Sequence, residues 1–135
     1  MMIQVSLSAL EDCGCNPFKG PWFAGTKPLT RQEVASALLN KEFEDFPVKV
    51  NAKRNKHIRR IAYLVHQGWL DAIEIDVGCP SFPGYPHKDI VDDGHHRLAA
   101  AFYQGNATIG AHIAGEIEYA AELLKIPIEV FQHDV

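Results

Sequence analysis

The chain opens on an alternation, "MIQVSLSAL", in which apolar Ile3, Val5 and Leu7 are separated by polar residues. That period of two predicts a first strand. The following "EDCGCNPFKGPWFAGTKP" is dense in Gly, Pro and Asn and reads as a loop. In "TRQEVASALLN", Thr30 and Glu33 have the spacing of a capping box, and Val34, Ala37 and Leu38 share one face, which predicts a short helix. Phe43 and Phe46, in "KEFEDFPVKVNA", are expected to pin a loop to the core. A longer helix is predicted for "KRNKHIRRIAYLVHQG", where Ile58, Ile61, Ala62 and Val65 recur at helical spacing and Gly68 supplies the stop. "DAIEIDVG" predicts a strand through Ile73, Ile75 and Val77, and the Pro-rich "CPSFPGYPH" delays the next one. "KDIVDD" then reads as a short strand, "HHRLAAAFYQ" as a helix closed by Gly105, and "ATIGAHIAG" as another strand. A last helix, "EIEYAAELL", is expected to turn Ile117, Ala120, Ala121 and Leu124 inward and to end before Pro127, with "IEVF" adding a final strand. The interleaving predicts a mixed α/β (α+β) fold: a compact single domain over residues 1–135, with a small mixed sheet flanked by helices and no linker.

Composition adjusts this picture only at a few points. The 135 residues suit one domain, and 47% hydrophobic with 22% charged residues is ordinary globular usage. A formal net charge of −4 excludes a general attraction to nucleic acid or an anionic membrane, so any such contact needs a local basic patch. "KRNKHIRR" is that patch. Lys53, Arg54, Lys56, Arg59 and Arg60, with His57 among them, are candidates for DNA backbone or a nucleotide's outer phosphates, against the plainer reading of a solvated helix face. No apolar run approaches a membrane span, and the N-terminus lacks a charged region followed by a long apolar core, so a cytoplasmic protein is expected. Cys13, Cys15 and Cys79 are odd in number, which argues against a disulfide framework, and Cys-x-Cys is tighter than usual zinc spacing. His87, His95, His96 and His112 do not have the spacing of a dedicated transition-metal site. Trp22, Phe23, Trp69, Phe102 and Tyr103 read as core and loop anchors, with any one near a ligand available to stack a base.

The densest chemistry lies in "HKDIVDDGHHRLAAAFYQG". Read as strand, glycine turn and helix, it places His95, His96 and Arg97 in the first helical turn. There the backbone N–H groups lack helical partners and the dipole is positive, so cations are disfavoured by roughly 0.3–1 kcal/mol each. A bound anion removes the conflict. Gly94, His95, His96 and Arg97 are therefore a candidate phosphate turn, with Arg97 as a bidentate clamp and the histidines as donors or proton acceptors. Of Asp92 and Asp93, one is expected to cap the helix and the other to hold a divalent cation or act as general base. The competing reading has Asp93 capping, the histidines solvated and Arg97 paired with a surface acid.

"IVDDGHHRLAAAFYQG" resembles the signature of the ParB/sulfiredoxin superfamily, in which an apolar strand leads through a glycine-basic-arginine turn into an alanine-rich helix. "IRRIAYLVHQGWLDAIEIDVG" is similar to the helix-glycine-strand unit that precedes it, and "MIQVSLSAL" with "CNPFK" is similar to the first strand and its Asn-Pro loop. The resemblance implies a nucleotide-phosphate site at the turn, serving ATP or CTP with Mg²⁺, and phosphoryl chemistry as an NTP hydrolase, a kinase or a nuclease. Its Asp-Gly-His-His-Arg wording is similar to the free serine kinase branch, and the resemblance implies Glu11 as a match for that branch's acidic catalytic residue. With Asp92, Asp93, His95 and His96, Glu11 completes the candidate catalytic set; Asp92 and Asp93 are the candidate metal ligands. His95 stands where a sulfiredoxin has its reactive cysteine, so sulfinic-acid repair is not expected. The chain also lacks the helix-turn-helix and dimerisation regions of segregation proteins, so partitioning by this chain alone is not expected. A non-catalytic module binding nucleotide or DNA is the alternative.

Overall fold

The computed structural model describes residues 1–22, 26–80 and 89–132. The chain divides into two compact units, each assembled from separated stretches. The first comprises Met1–Cys15, Asp71–His95 and Ala107–Val135; the second comprises Asn16–Leu70 and His96–Asn106. Among the described residues there are four strands in one sheet and six helices, the mixed class that the pattern predicts.

In the first unit the strands are β1 (Ile3–Ser6), β2 (Ile73–Asp76), β3 (Val91–Asp93) and β4 (Thr108–Ala114), in the spatial order β1-β4-β2-β3. β4 runs antiparallel to β1 and parallel to β2, and β3 closes the edge antiparallel to β2. Ile3, Val5, Ile73, Ile75, Ile109 and Ala111 are buried, as the alternation requires. The alternation misleads at Leu7. The strand stops at Ser6, whose side chain accepts from the Ala9 N–H at 3.2 Å and so caps helix α1 (Leu7–Asp12). Leu7, Ala9 and Leu10 are buried from that helix, so the start of the expected loop is helical. A second correction concerns "IEVF", which forms the one-turn helix α6 (Ile128–Phe131) after Pro127 and not a strand. In α5 (Ile117–Leu124), Ala120 and Leu124 are buried as expected and Ala121 is half-buried, but Ile117 is exposed at the helix start.

The second unit is helical: α2 (Arg31–Leu39), α3 (Arg54–Gln67) and all but the first residue of α4 (His95–Gln104). The Thr30–Glu33 capping box forms in full. Val34, Ala37, Ile58, Ile61, Ala62, Leu64, Ala99 and Ala100 make one buried cluster with Trp22 and Leu29. Phe43 packs against it, but Phe46 is exposed and anchors nothing. Trp69 and Tyr103 are half-buried against the cluster and Phe102 is half-buried, while Phe23 and His87 lie outside the described residues.

Candidate functional site

β3 ends at Asp93, Gly94 turns, and α4 begins at His95. Gly94 is buried and takes a left-handed φ of +97°. A Cβ there would meet Ile73 of β2, so both the backbone angle and the packing demand glycine. Gly94 itself holds the N-cap position, and Asp92 and Asp93 are exposed residues of β3. In the sheet register Asp93 stands opposite Glu74, whose Oε1 lies 3.2 Å from His112 Nδ1. Consecutive strand residues project to opposite faces, so at most one of the two aspartates can serve a ligand on a given face.

The adjacent histidines diverge. His95, in the first unit, directs Nε2 to Asp89 Oδ2 at 3.6 Å, and the other Asp89 oxygen accepts from the Val91 N–H at 3.1 Å. His95 is the main influence holding the Asp89 carboxyl below its ordinary range; burial opposes it and the Val91 N–H adds to it. Nothing in the sequence marks Asp89 as a partner of His95, because it precedes the turn at Gly94 by five residues.

In the second unit, His96 Nε2 lies 2.8 Å from Nδ1 of His57 on α3. The two rings are nearly parallel, inclined by 14° with centroids 5.1 Å apart. Trp22 presents an edge-on contact to both, with centroids 5.8 Å from His57 and 5.4 Å from His96. His57 is only 2% exposed, and burial pushes its proton affinity below the usual histidine value. This corrects its place in the basic patch: His57 is a buried neutral ring, not a surface cation. Arg97 is half-buried in the first turn of α4.

The rest of the patch is divided. Arg54 donates through Nε and Nη2 to the Glu33 carboxylate at 2.7 and 2.8 Å and reaches the Lys27 and Pro28 carbonyls. That contact draws the Glu33 carboxyl down to about 2. Arg59 pairs with Glu42 at 2.9 Å, and Arg60 donates to the Glu44 carbonyl while lying over the Tyr63 ring. Lys53 and Lys56 are exposed. Glu11 sits half-buried in the last turn of α1.

Cys13, Cys15 and Cys79 are free thiols, and burial pushes Cys15 up to about 12, which leaves it unreactive near neutrality. No group of three His, Cys, Asp or Glu residues suited to a metal ion occurs among the described residues. No helix among them is long and apolar enough to cross a membrane. Compared with protein-family models, curated proteins and solved structures, the chain matches none.

Proposed function

We propose that this chain is a nucleotide-binding protein of ParB/sulfiredoxin-like build, which holds phosphates at the Gly94-His95-His96-Arg97 turn and performs phosphoryl chemistry on them. The reaction is NTP hydrolysis, kinase-like transfer or phosphodiester cleavage. One observation carries the reading. The ten-residue helix α4 opens on His-His-Arg with no acidic residue in its first turn. Cations at that end oppose the helix dipole, and an anion bound to the backbone N–H groups of the first turn and to the side chains turns the opposition into attraction. The choice of a nucleotide over a bare anion rests on the family resemblance of the Asp-Gly-His-His-Arg segment.

In this reading Arg97 clamps phosphate oxygens, and His95 and His96 donate to them or exchange protons with the reacting groups. Asp89 orients His95, and His57 orients His96. Mg²⁺ fits as an ion brought by the nucleotide and held mainly by its phosphates, with one carboxylate of Asp92 or Asp93, since magnesium commonly needs only one or two protein carboxylates. Bound there, it would neutralise phosphate charge. The turn's task is positioning, which with charge neutralisation supplies most of the rate in such reactions.

A binding-only module is the second reading, favoured by the exposure of Lys53 and Lys56 at the start of α3, where a DNA backbone would find two exposed lysines beside three arginines already in intrachain contacts. Incubation with ATP or CTP and Mg²⁺, followed by melting temperature and phosphate release, separates the two. Stabilisation with turnover that Arg97→Ala abolishes supports the enzyme, and stabilisation without turnover supports the module. If no nucleotide moves the melting temperature of parent or variant, the phosphate site is wrong. Relaxed plasmid DNA after incubation with Mg²⁺ would assign the nuclease form.

A further inference from the structure

β1 forms one edge of the sheet, and among the described residues it pairs with β4 alone. The Leu7 N–H donates to the Ala107 carbonyl at 3.0 Å, one step beyond the register that sets Ser6 opposite Thr108. Bonded and unbonded pairs alternate along an antiparallel ladder, so Ile3 and Val5 turn their backbone groups toward β4 as Leu7 does. Gln4, between them, turns its N–H and C=O outward from the sheet, and the Ser6 N–H points the same way.

Natural edge strands commonly carry a lysine, a proline or a bulge that keeps a second strand away. β1 has none of these. Met1–Leu10 holds no charged side chain and no proline, and the register with β4 runs unbroken from Ile3 to Ser6. Beside the strand lies a groove of about 490 Å³, whose lining includes Met1, Met2, Ile3, Ile126 and Val130. Met1 and Met2 are exposed there. An outward N–H and C=O on one residue call for an extended backbone, and the apolar lining is what such a backbone would take out of water.

Charge and symmetry select the occupant. The chain carries a net charge of −4, so two copies repel in general, but this stretch is neutral and meets itself without that cost. A two-fold axis at Gln4 also satisfies the outward groups of both strands at once, since each supplies the donor and acceptor that the other needs.

We propose that two copies of this chain join by antiparallel pairing of their β1 strands about a two-fold axis at Gln4, making one continuous sheet of the two. Each Gln4 N–H donates to the Gln4 carbonyl of the other copy, and Ser6 of each stands opposite Met2 of the other. Strands of four residues bury little surface, so the dimer belongs at the small end of specific interfaces and forms reversibly with concentration. β1 is at the opposite edge of the sheet from β3, which leads into the Gly94 turn, so the pairing does not rest on the phosphoryl reading.

The test is sedimentation velocity from about 1 µM to about 1 mM, with amide hydrogen exchange at both ends of that range, on the full chain as parent, Gln4→Pro and Gln4→Lys. Proline removes the outward N–H and no bond to β4, a substitution that edge strands tolerate. Lysine sets like charges face to face across the axis. The parent is expected to pass from monomer to dimer, with the Gln4 and Ser6 amides exchanging more slowly as it does. Both variants should stay monomeric and melt close to the parent, and Gln4→Lys should regain dimer as salt is raised to about 1 M. A parent that is still monomeric at the highest concentration overturns the proposal, whether or not either variant folds. So does a dimer whose Gln4 amide exchanges as fast as in the monomer, because another surface then holds it. A Gln4 amide already protected in the monomer gives the edge to a different covering and also overturns it.

Discussion

Gly94 rests on Ile73 so closely that a Cβ on the glycine would fall 2.5 Å from Ile73 Cγ2 and 2.8 Å from its Cβ. The turn that starts α4 is therefore seated on β2 by the absence of a side chain, with φ at +97°. Gly94→Ala adds left-handed strain of about 1–3 kcal/mol to an overpacking cost of similar size. The expected outcome is a loss of several degrees or more in melting temperature, together with weakened nucleotide binding. A variant that melts with the parent would show that the turn has another seat.

The Glu33–Arg54 contact gives the second unit an acid-sensitive joint. The Glu33 carboxyl is drawn from its ordinary range to about 2, with the Arg54 guanidinium as the main cause. A depressed carboxyl contributes stability that is present above the unfolded value and lost as pH falls through the folded one, here from about 4.5 to about 2. Both side chains are about one-third exposed, so solvent screening limits the loss to about 1 kcal/mol. Glu33→Gln should cost about this much near neutrality, and its urea midpoint should fall less than the parent's between pH 4.5 and pH 2.

His57 makes a different pH signature. Burial lowers its proton affinity, so the folded chain binds fewer protons than the unfolded chain just below the ordinary histidine value. Stability is then complete above about pH 6.5 and declines as pH drops below it. Melting temperatures recorded from pH 7.5 to pH 5 should slope downward on acidification in the parent and flatten in His57→Phe. Equal slopes would show that His57 is not the titrating group.

Ser6 ends β1 and caps α1 with one side-chain contact. Ser6→Ala should cost about 1 kcal/mol and Ser6→Asn much less, measured by chemical denaturation.

Periodicity was a good guide where a single rule applied. Ile58, Ile61 and Ala62 marked the buried face of α3, Thr30 and Glu33 its neighbour's cap, and the Gly94 turn lay where a glycine separates a strand pattern from an alanine-rich helix. It failed where two patterns overlapped. Leu7 continues the alternation of Ile3 and Val5, yet it is the first residue of a helix whose signal, Ser6, is a lone cap without a glutamate partner. The β-branched residues of "IEVF" suggest a strand, but they form a single helical turn after Pro127, which stands at the N-cap and accepts the Val130 N–H at its carbonyl. The chemistry of the candidate site was half legible for a related reason. His95, His96 and Arg97 announce themselves by type and spacing, but their partners do not. Asp89 is hidden behind the more conspicuous Asp92 and Asp93, and His57 sits in a run of cations that gives no hint of its burial.

Binding of a nucleotide's phosphates at the start of α4 is read out by backbone amide shifts during titration with ATP and with CTP in Mg²⁺. Saturable shifts centred on Gly94, His95, His96 and Arg97 are expected, and they should be lost in Arg97→Ala while the fold persists. Amides at this turn that stay unmoved at saturating nucleotide, or that move equally in Arg97→Ala, would rule out a phosphate site there.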